Sequence, residues 1–351
     1  MRTVTLGRLK VELFFPAEPG STAGKPEATY NLKDWLPAEE RAKVPDDHSP
    51  QVGPIGGHLF RDVPLDGAHG PYPVVIFMHG TASMRIANAS ANVHWASRGF
   101  VVVAADYPGL TFDDQLKLGC GVAHQEQDTD ADMKTQLDAL NAATGELAFL
   151  AGHIDMKRLG LSGHSQGACM SAINAKLPNV QIIVPLTGST QASSSPDLKS
   201  IMWIAGMKDV VIGYDGLALG NLVCLPNPGP AVSNVQGYNE SPGQPNVKKR
   251  LVGIKDAGHL SVTDLCQTNM QGKNAIQEAV DDMVCGVNGA AIIGLPALND
   301  CGTLDWKKGV IAVNYASTIA LEETLHCQDR TQQFANMLTA IPEFGDYRHA
   351  P

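Results

Sequence analysis

Short, almost uninterrupted apolar runs recur through the middle of the chain. They lie at residues 74–78, 100–105, 158–162, 181–186, 201–205 and 250–254. A strand that is buried on both faces of a parallel sheet needs apolar side chains on both sides, so it shows little polar alternation. The runs therefore predict the inner strands of a parallel sheet.

The segment between the second and third runs has a helical period. Residues 130–152 begin with aspartates, end near Gly152 and carry one apolar stripe, formed by Met133, Leu137, Leu140, Leu147 and Leu150. This pattern predicts an amphipathic helix that connects two parallel strands. Strands alternating with helices predict an α/β fold, with helices on both faces of a mostly parallel central sheet.

The two ends of the chain depart from this alternation. Residues 3–15 predict an edge strand, and residues 16–72, rich in proline, glycine and charge with one helical turn near 32–43, predict a wrap around the core. Residues 265–351 predict a C-terminal helical extension. We expect a single domain whose catalytic core is 73–264. The connection 216–247, with five prolines, is of the kind that often shapes a binding cleft.

Composition narrows the function. The 351 residues are 44% hydrophobic and carry 26 basic against 36 acidic side chains, a formal charge of −10. A chain this acidic would repel nucleic acid and anionic membrane surfaces, so a neutral or apolar substrate is favoured. There is no apolar run long enough to span a bilayer and no signal-peptide pattern at the start, which indicates either a cytosolic protein or a mature form without its leader.

A candidate nucleophile follows the third apolar run. Residues 163–167 read Gly-His-Ser-Gln-Gly, which matches the G-x-S-x-G pattern, and a segment of small residues follows. Glycines two positions either side of Ser165 relieve the crowding of a sharp turn from strand to helix, where a serine hydroxyl is exposed. An ordinary glycine-rich turn is the alternative, but the strand before it and the helix after it favour a nucleophile.

A serine nucleophile needs a base, and His259 is the best placed of eleven histidines. It follows the last apolar run and a turn at Gly258, where hydrolases of this strand order carry their histidine. A surface-loop histidine is the alternative. His164, next to the serine, should point away from it, because neighbouring side chains on a tight turn diverge.

The third member of a triad would be a carboxylate after the strand between them. Asp209 ends a Gly-x-x-Asp turn that follows the run 201–205. It could orient the imidazole and stabilise its protonated form. Asp215 and Asp256 are its rivals, and Asp256 is better suited to a structural hydrogen bond on the turn before His259.

Donors for an oxyanion are expected after the first apolar run. The sequence His79-Gly80-Thr81 follows it, so the Thr81 amide could pair with the amide of Gln166, just after the nucleophile. Gly80, His164 and Trp203 are candidate substrate-binding residues, although Trp203, inside a strand, fits core packing better.

With these motifs the chain resembles the α/β-hydrolases, and within them the branch of dienelactone hydrolases, platelet-activating-factor acetylhydrolases and cutinase-like bacterial polyester hydrolases. The resemblance spans about residues 9–265 and rests on a series of motifs in the order of that branch, FFPA, HGTAS, WASRGFVVVAADYPG, GLSGHSQGA, GMKDVV and AGHLS. WASRGFVVVAADYPG is the most specific to the branch. A serine stands where dienelactone hydrolases usually have cysteine, which disfavours dienelactone hydrolysis. The sequence shows no apolar segment of the length of a lid helix, which disfavours a long-chain lipase.

The seven cysteines bear on the compartment. Four of them, Cys266, Cys285, Cys301 and Cys327, lie in the last quarter without zinc-ligand spacing. Two disulfides would fit an exported protein and free buried thiols a cytosolic one, and the odd total leaves at least one thiol unpaired. The resemblance to exported bacterial relatives implies a Cys266–Cys301 disulfide and favours a secreted or periplasmic location. Cys169, on the helix after Ser165, is expected to be buried packing.

Together these features predict a serine carboxylic-ester hydrolase that needs no cofactor or metal. Its substrate would be a neutral short- to medium-chain, lipid-like or polyester ester, with no nucleic-acid partner and no integral membrane association. A serine lactonase is the nearest alternative. Peptide or C–C bond hydrolysis, perhydrolysis and a non-catalytic relative are the others.

Overall fold

The computed structural model describes residues 1–49, 51–188, 191–216, 232–241, 246–268, 270–293 and 299–350. All six apolar runs form strands. The strands are β1 (Arg2–Leu6), β2 (Leu9–Phe14), β3 (Tyr30–Asn31), β4 (Gln51–Val52), β5 (Tyr72–Met78), β6 (Val101–Asp106), β7 (Ile154–His164), β8 (Val180–Leu186), β9 (Ser200–Gly206), β10 (Lys248–Ile254) and β11 (Phe344–Ala350).

Nine of these strands form one sheet in the order β1-β2-β6-β5-β7-β8-β9-β10-β11. The six strands from β6 to β10 in that order are parallel, whereas β2 runs antiparallel to β6 and β11 antiparallel to β10. Parallel strands end at the same edge. The ends of β5, β7, β9 and β10 therefore meet at what we call the carboxyl edge of the sheet.

Ten α-helices occur among the described residues. They are α1 (Ala89–Ser97), α2 (Phe112–Cys120), α3 (Thr129–Ala142), α4 (Gln166–Ile173), α5 (Asn234–Glu240), α6 (Ala275–Asp281), α7 (Gly286–Ile293), α8 (Trp306–Leu325), α9 (Thr331–Ala335) and α10 (Met337–Ala340). No helix in the described ranges is long and apolar enough to cross a membrane.

The sheet is covered on both faces, as its apolar strands predict. Along β5, Val75 and Phe77 join one core cluster, which also holds residues of α1 and α8. Val74 and Ile76 join the other cluster, with residues of α3, α4 and α5. Successive side chains of a strand point to opposite faces, so a strand between two helical layers must be apolar at every position.

The N-terminal region differs from its prediction in one respect. Residues 2–14 form an antiparallel hairpin rather than one edge strand, because Gly7, with φ +58°, allows a tight turn between β1 and β2. The wrap contains short 3₁₀ turns at Leu32–Trp35 and Arg41–Lys43, and Trp35 donates its indole N–H to the Asp106 carboxylate. This bond joins the wrap to the carboxyl end of β6.

The helix predicted over 130–152 is shorter in the structure. The helix α3 stops at Ala142, since Ala143 and Gly145 both have positive φ, and a 3₁₀ turn over Gly145–Leu150 follows. Four of the five stripe residues are nonetheless buried, Leu137 being the half-buried exception. The apolar pattern identified most of the buried side chains, but it did not predict the break between α3 and the 3₁₀ turn.

The C-terminal segment is helical as predicted, with one difference. The long helix α8 begins at Trp306 after an Asp305 N-cap, whose side chain accepts the Lys307 N–H. The chain then ends in β11, an edge strand that the pattern did not predict because its residues are mostly polar and half-buried. In the connection 216–247, α5 is described, while residues 217–231 and 242–245 lie outside the described residues.

Candidate active site

Ser165 occupies a strained turn between β7 and α4. Its backbone has φ 56° and ψ −120°, a region that non-glycine residues rarely adopt. The turn is held by the Ser165 N–H, which donates to the Leu186 carbonyl at 3.0 Å, and by the Ser165 carbonyl, which accepts from the N–H groups of Ala168 and Cys169. The surrounding structure therefore fixes the conformation that the G-x-S-x-G pattern predicts.

The two glycines of that pattern are required by close backbone contacts. A Cβ at Gly163 would lie 2.3 Å from the Gly167 carbonyl oxygen, and a Cβ at Gly167 would lie 2.0 Å from the carbonyl oxygen of Met78. Neither distance is compatible with a side chain. The end of β5, the end of β7 and the start of α4 can thus approach one another only with glycine at both positions.

The residues predicted to form an oxyanion hole lie on either side of Ser165. A Cβ at Gly80 would be 2.8 Å from the Ser165 Cβ, so Gly80 packs directly against Ser165, and Thr81 follows it. Gln166 is the first residue of α4, where a backbone N–H has no acceptor within the helix. The structure thus brings Gly80, Thr81, Ser165 and Gln166 into one neighbourhood.

His79 was not predicted to have a role and proves to orient this neighbourhood. It is fully buried; its Nδ1–H donates to the Gly80 carbonyl at 2.7 Å, and its Nε2 accepts the Tyr107 N–H at 2.9 Å. Burial lowers the pKa of His79, in keeping with a neutral ring that has one donor and one acceptor. The Gly80 carbonyl and the Thr81 N–H belong to the same trans peptide and point in opposite directions, so His79 sets where the Thr81 N–H points.

One signal in the sequence could have identified His79. It directly follows the wholly apolar strand β5, where a polar side chain is buried and must find partners. In the sequence, His79 stands out only as the start of the His79-Gly80-Thr81 turn.

Asp209 and His259 form a buried pair at the carboxyl edge. Asp209 follows β9 and His259 follows β10, and the His259 Nδ1 lies 2.8 Å from the Asp209 Oδ2. The Asp209 Oδ1 accepts the N–H groups of Val211 and Ile212, both at 2.8 Å. Since a carboxylate only accepts, Nδ1 carries the proton and Nε2 is left as the basic nitrogen.

The two rival carboxylates, Asp215 and Asp256, differ from Asp209 in their exposure to solvent. Asp215 and Asp256 are both exposed, whereas the Asp209 side chain is completely buried. Asp256 has positive φ, and its backbone carbonyl accepts from Thr303 and Leu304. Asp256 is thus a turn residue, as the sequence suggested, and Asp209 is the carboxylate paired with His259.

His164 contacts His259 and not open solvent. It is buried, its Nε2–H donates to the His259 carbonyl at 2.9 Å, and the two imidazole rings are 4.7 Å apart. Burial, with a further contribution from His259, lowers the pKa of His164 to about 3, so the ring is neutral. Its predicted role in substrate binding stays a prediction, and its described contact is with the loop that carries the base.

Trp203 is a core residue. Its side chain is fully buried in β9, and its ring packs edge-on against Tyr238 with centroids 5.9 Å apart. This full burial fits the core-packing role that its position inside a strand favoured, and its role in substrate binding stays a prediction.

The cysteines form more disulfides than the sequence suggested. Cys266 and Cys301 are bonded, as the resemblance implied, and Cys120 is bonded to Cys285, linking the end of α2 to the turn before α7. Cys169 is buried, as expected, and is also disulfide-bonded, which the sequence did not predict. Cys327 is unpaired and exposed, in agreement with the odd total. Such disulfides are typical of proteins from oxidising compartments.

Comparisons with known proteins support the fold. No protein-family model matches the chain. No curated protein matches it either. Among solved structures, the chain is similar to a ferulic acid esterase from Streptomyces cinnamoneus, with 17% sequence identity, a TM-score of 0.59, and coverage of 100% of this chain and 95% of that one. The chain has the α/β-hydrolase fold, with a mostly parallel nine-stranded sheet flanked by helices.

Proposed function

We propose that the protein is a serine carboxylic-ester hydrolase that works through an acyl-enzyme. The observation that carries this proposal is the buried His259–Asp209 pair, with 2.8 Å between Nδ1 and Oδ2, at the same edge of the sheet as the strained Ser165 turn. A nucleophile, a base and a group that orients the base are the three parts that acyl transfer by serine requires.

In the first half-reaction the Nε2 of His259 removes the proton from the Ser165 hydroxyl, and Oγ attacks the ester carbonyl. The carbonyl oxygen becomes negative, and the amides of Thr81 and Gln166 donate hydrogen bonds to it. Collapse of this intermediate breaks the C–O bond, and the His259 imidazolium returns its proton to the departing alcohol. The acyl group is then bound to Ser165.

In the second half-reaction water replaces the alcohol. His259 removes a proton from the water, the resulting hydroxide attacks the acyl carbon, and Ser165 leaves with the proton that the imidazolium returns. Asp209 remains ionised and stabilises the imidazolium in both halves. This stabilisation is strong because the side chains of both residues are almost completely buried.

The substrates we propose are neutral short- to medium-chain, lipid-like or polyester esters. A net charge of −10 disfavours anionic substrates. The solved structure to which the chain is similar is described as a ferulic acid esterase, which makes an aryl carboxylic ester a sensible first probe. The same residues could open a cyclic ester, so a lactone belongs in the test.

Three further proposals accompany this function. We place the chain in the branch of dienelactone hydrolases, acetylhydrolases and polyester hydrolases, on the motifs given above. We propose one catalytic domain with an N-terminal wrap and a C-terminal extension. The Cys266–Cys301 and Cys120–Cys285 disulfides support a secreted or periplasmic location.

A substrate panel tests the proposal. Wild type, Ser165→Ala and the control Ser171→Ala are assayed on p-nitrophenyl esters from acetyl to palmitoyl, on a lactone and on a polyester film. Ser171 lies on the same helix α4, and its hydroxyl donates to the Ala168 carbonyl at 2.7 Å.

We expect wild type and Ser171→Ala to hydrolyse at least one linear ester at equal rates, and Ser165→Ala to hydrolyse none. Turnover of the lactone alone would instead favour the lactonase. No turnover on any substrate, or undiminished activity in Ser165→Ala, would contradict the esterase.

A further inference from the structure

A carboxylate far along the chain contacts both loops of the acid–base pair. The Asp300 Oδ2 accepts the N–H of His259 at 2.9 Å and the N–H of Val210 at 3.1 Å. Val210 directly follows Asp209. One oxygen atom therefore bridges the backbone at the base and the backbone next to the acid.

Two further oxygen atoms of Asp300 also accept hydrogen bonds at this place. Its Oδ1 accepts the Gly302 N–H at 3.2 Å, and its backbone carbonyl accepts the Leu260 N–H at 2.7 Å. Hydrogen bonds to an ionised carboxylate are roughly twice as strong as those between neutral groups. Asp300 thus holds the base loop on both sides of the His259 side chain.

Gly258 allows this close approach. A Cβ at Gly258 would lie 2.1 Å from the Asp300 Oδ1 and 2.7 Å from the Gly302 N. The glycine before the base is therefore required for the carboxylate to reach the loop. In the sequence this glycine appeared only as a turn residue.

The segment that carries Asp300 is itself anchored. Cys301 is bonded to Cys266, and the Cys301 carbonyl accepts the Ser261 hydroxyl at 2.7 Å. The Asp256 carbonyl accepts the N–H groups of Thr303 and Leu304. Residues 300–304 are thus fixed to the base loop before, at and after His259.

From these contacts we infer that Asp300 is a positioning residue for the acid–base pair. This inference rests on the proposed function. In it, Asp300 keeps the two loops at the spacing that the 2.8 Å bond between His259 and Asp209 requires. Asp300 touches neither the substrate nor the reacting atoms. It adds a third kind of link between two loops that are also joined by the His259–Asp209 bond and by backbone bonds from the N–H groups of Met207 and Lys208 to the carbonyls of Ile254 and Ala257.

The test compares Asp300→Ala, Asp300→Asn and the control Asp305→Ala. Alanine removes both acceptors, while asparagine keeps one oxygen that can accept the His259 and Val210 N–H groups. Asp305 is a matched control near the same segment, because its side chain accepts the Lys307 N–H as the cap of α8 and its described hydrogen bonds do not involve the loops of His259 and Asp209. For each protein we would measure kcat and KM on an aryl ester, the melting temperature, and the far-downfield proton resonance of the Nδ1–H of His259, which depends on its bond to Asp209.

We expect Asp300→Ala to lose kcat by on the order of 100-fold, since a misplacement of about 1 Å costs roughly that much, with a much smaller change in KM. Its downfield resonance should weaken or move upfield. Asp300→Asn should restore most of kcat and the resonance. Asp305→Ala should lower the melting temperature while leaving kcat and the resonance unchanged.

The inference would be overturned if Asp300→Ala lowered the melting temperature but kept the wild-type kcat and resonance when both are measured well below that temperature. Should Asp300→Ala fail to fold, Asp300→Ser is judged by the same criteria, since its shorter hydroxyl cannot bridge both loops. The resonance requires no turnover. If wild type hydrolyses no ester, the proposed function fails, but the resonance still decides whether Asp300 positions His259.

Discussion

The carboxyl edge of the sheet has two halves that are held in place by different means. The nucleophile half, residues 78–81 and 163–168, is held by backbone atoms in direct contact, with glycine wherever a side chain would collide. The base half, residues 206–212, 256–266 and 300–304, also has close backbone contacts at Gly206 and Gly258, but side chains join its segments in addition, namely the Asp209 and Asp300 carboxylates and the Cys266–Cys301 disulfide. A close-packed backbone tolerates almost no added side-chain volume. Side-chain bonds, by contrast, can be removed singly by substitution, each with its own limited loss.

This difference also determines which half is visible in a sequence. The contacts of the nucleophile half include a local motif, G-x-S-x-G. The bonds of Asp300 to His259 and Val210 join residues 41 and 90 positions apart, and no local pattern marks them.

The largest effect should come from altering the acid in the base half. Asp209→Asn can still accept the N–H groups of Val211 and Ile212, but its amide would face the His259 Nδ1 with a donor and favour the wrong tautomer. We expect kcat to fall about 10⁴-fold with folding preserved. Steady-state kinetics measure this, with the exposed Asp215→Asn as the control that keeps full activity. A fall of less than about tenfold would show that Asp209 is not the acid of the triad.

The next largest effect should come from adding one methyl group to the nucleophile half. In Gly167→Ala the new Cβ would lie 2.0 Å from the Met78 carbonyl oxygen. We expect the free energy of unfolding to drop by about 4 kcal/mol or more, since a clash with backbone cannot relax through a rotamer change.

Urea unfolding of Gly167→Ala and of Gly53→Ala makes this comparison directly. A Cβ at Gly53 would have an ordinary 3.4 Å contact with a Thr29 methyl group, so that variant should remain close to wild type. Equal stability of the two variants would show that the nucleophile half is not held by backbone packing.

A smaller effect should follow from removing the covalent link of the base half. The Cys266–Cys301 bond closes a loop with a sequence separation of 35. The double variant Cys266→Ser, Cys301→Ser should lose about 3 kcal/mol of unfolding free energy and part of kcat, because the Asp300 segment is then less constrained. The exposed, unpaired Cys327→Ser is the control. If stability falls while kcat keeps its full value, the disulfide does not serve the base half.

The smallest effect concerns pH. Asp264, at the end of the base half, is fully buried and accepts the Ser90 N–H at 2.8 Å together with the Ser90 hydroxyl. Burial raises the pKa of Asp264 to about 7. Because the folded protein keeps this proton up to about pH 7 and the unfolded chain loses it near pH 4, the group's stabilisation is complete below pH 4 and disappears as pH rises through about 7.

Unfolding experiments on wild type and Asp264→Asn at several pH values isolate this contribution. Between pH 5 and pH 7 the free energy of unfolding of wild type should fall by about 2 kcal/mol relative to that of the variant, because one proton contributes about 1.4 kcal/mol per pH unit. All other titrating groups are shared and cancel in the difference. Parallel curves would mean that Asp264 is ionised throughout this range.

The sequence was sufficient for the sheet because its inner strands are apolar on both faces. It missed β11, since an edge strand pairs through backbone atoms and its residues are polar. It also missed the end of α3, because nothing in the residue type of Ala143 marks its positive φ. Ser165, Asp209 and His259 could be proposed from the sequence because each follows a recognisable strand, whereas the contacts of His79 and Asp300 are created only by the fold.

The central claim is that Ser165 is a nucleophile activated by His259 and Asp209. Its most direct test is the intact mass, with peptide mapping, after reaction with a fluorophosphonate probe. We predict one adduct per chain, located on Ser165, absent in Ser165→Ala and much slower to form in Asp209→Asn. No adduct on wild type, or an adduct that persists in Ser165→Ala, would contradict the claim.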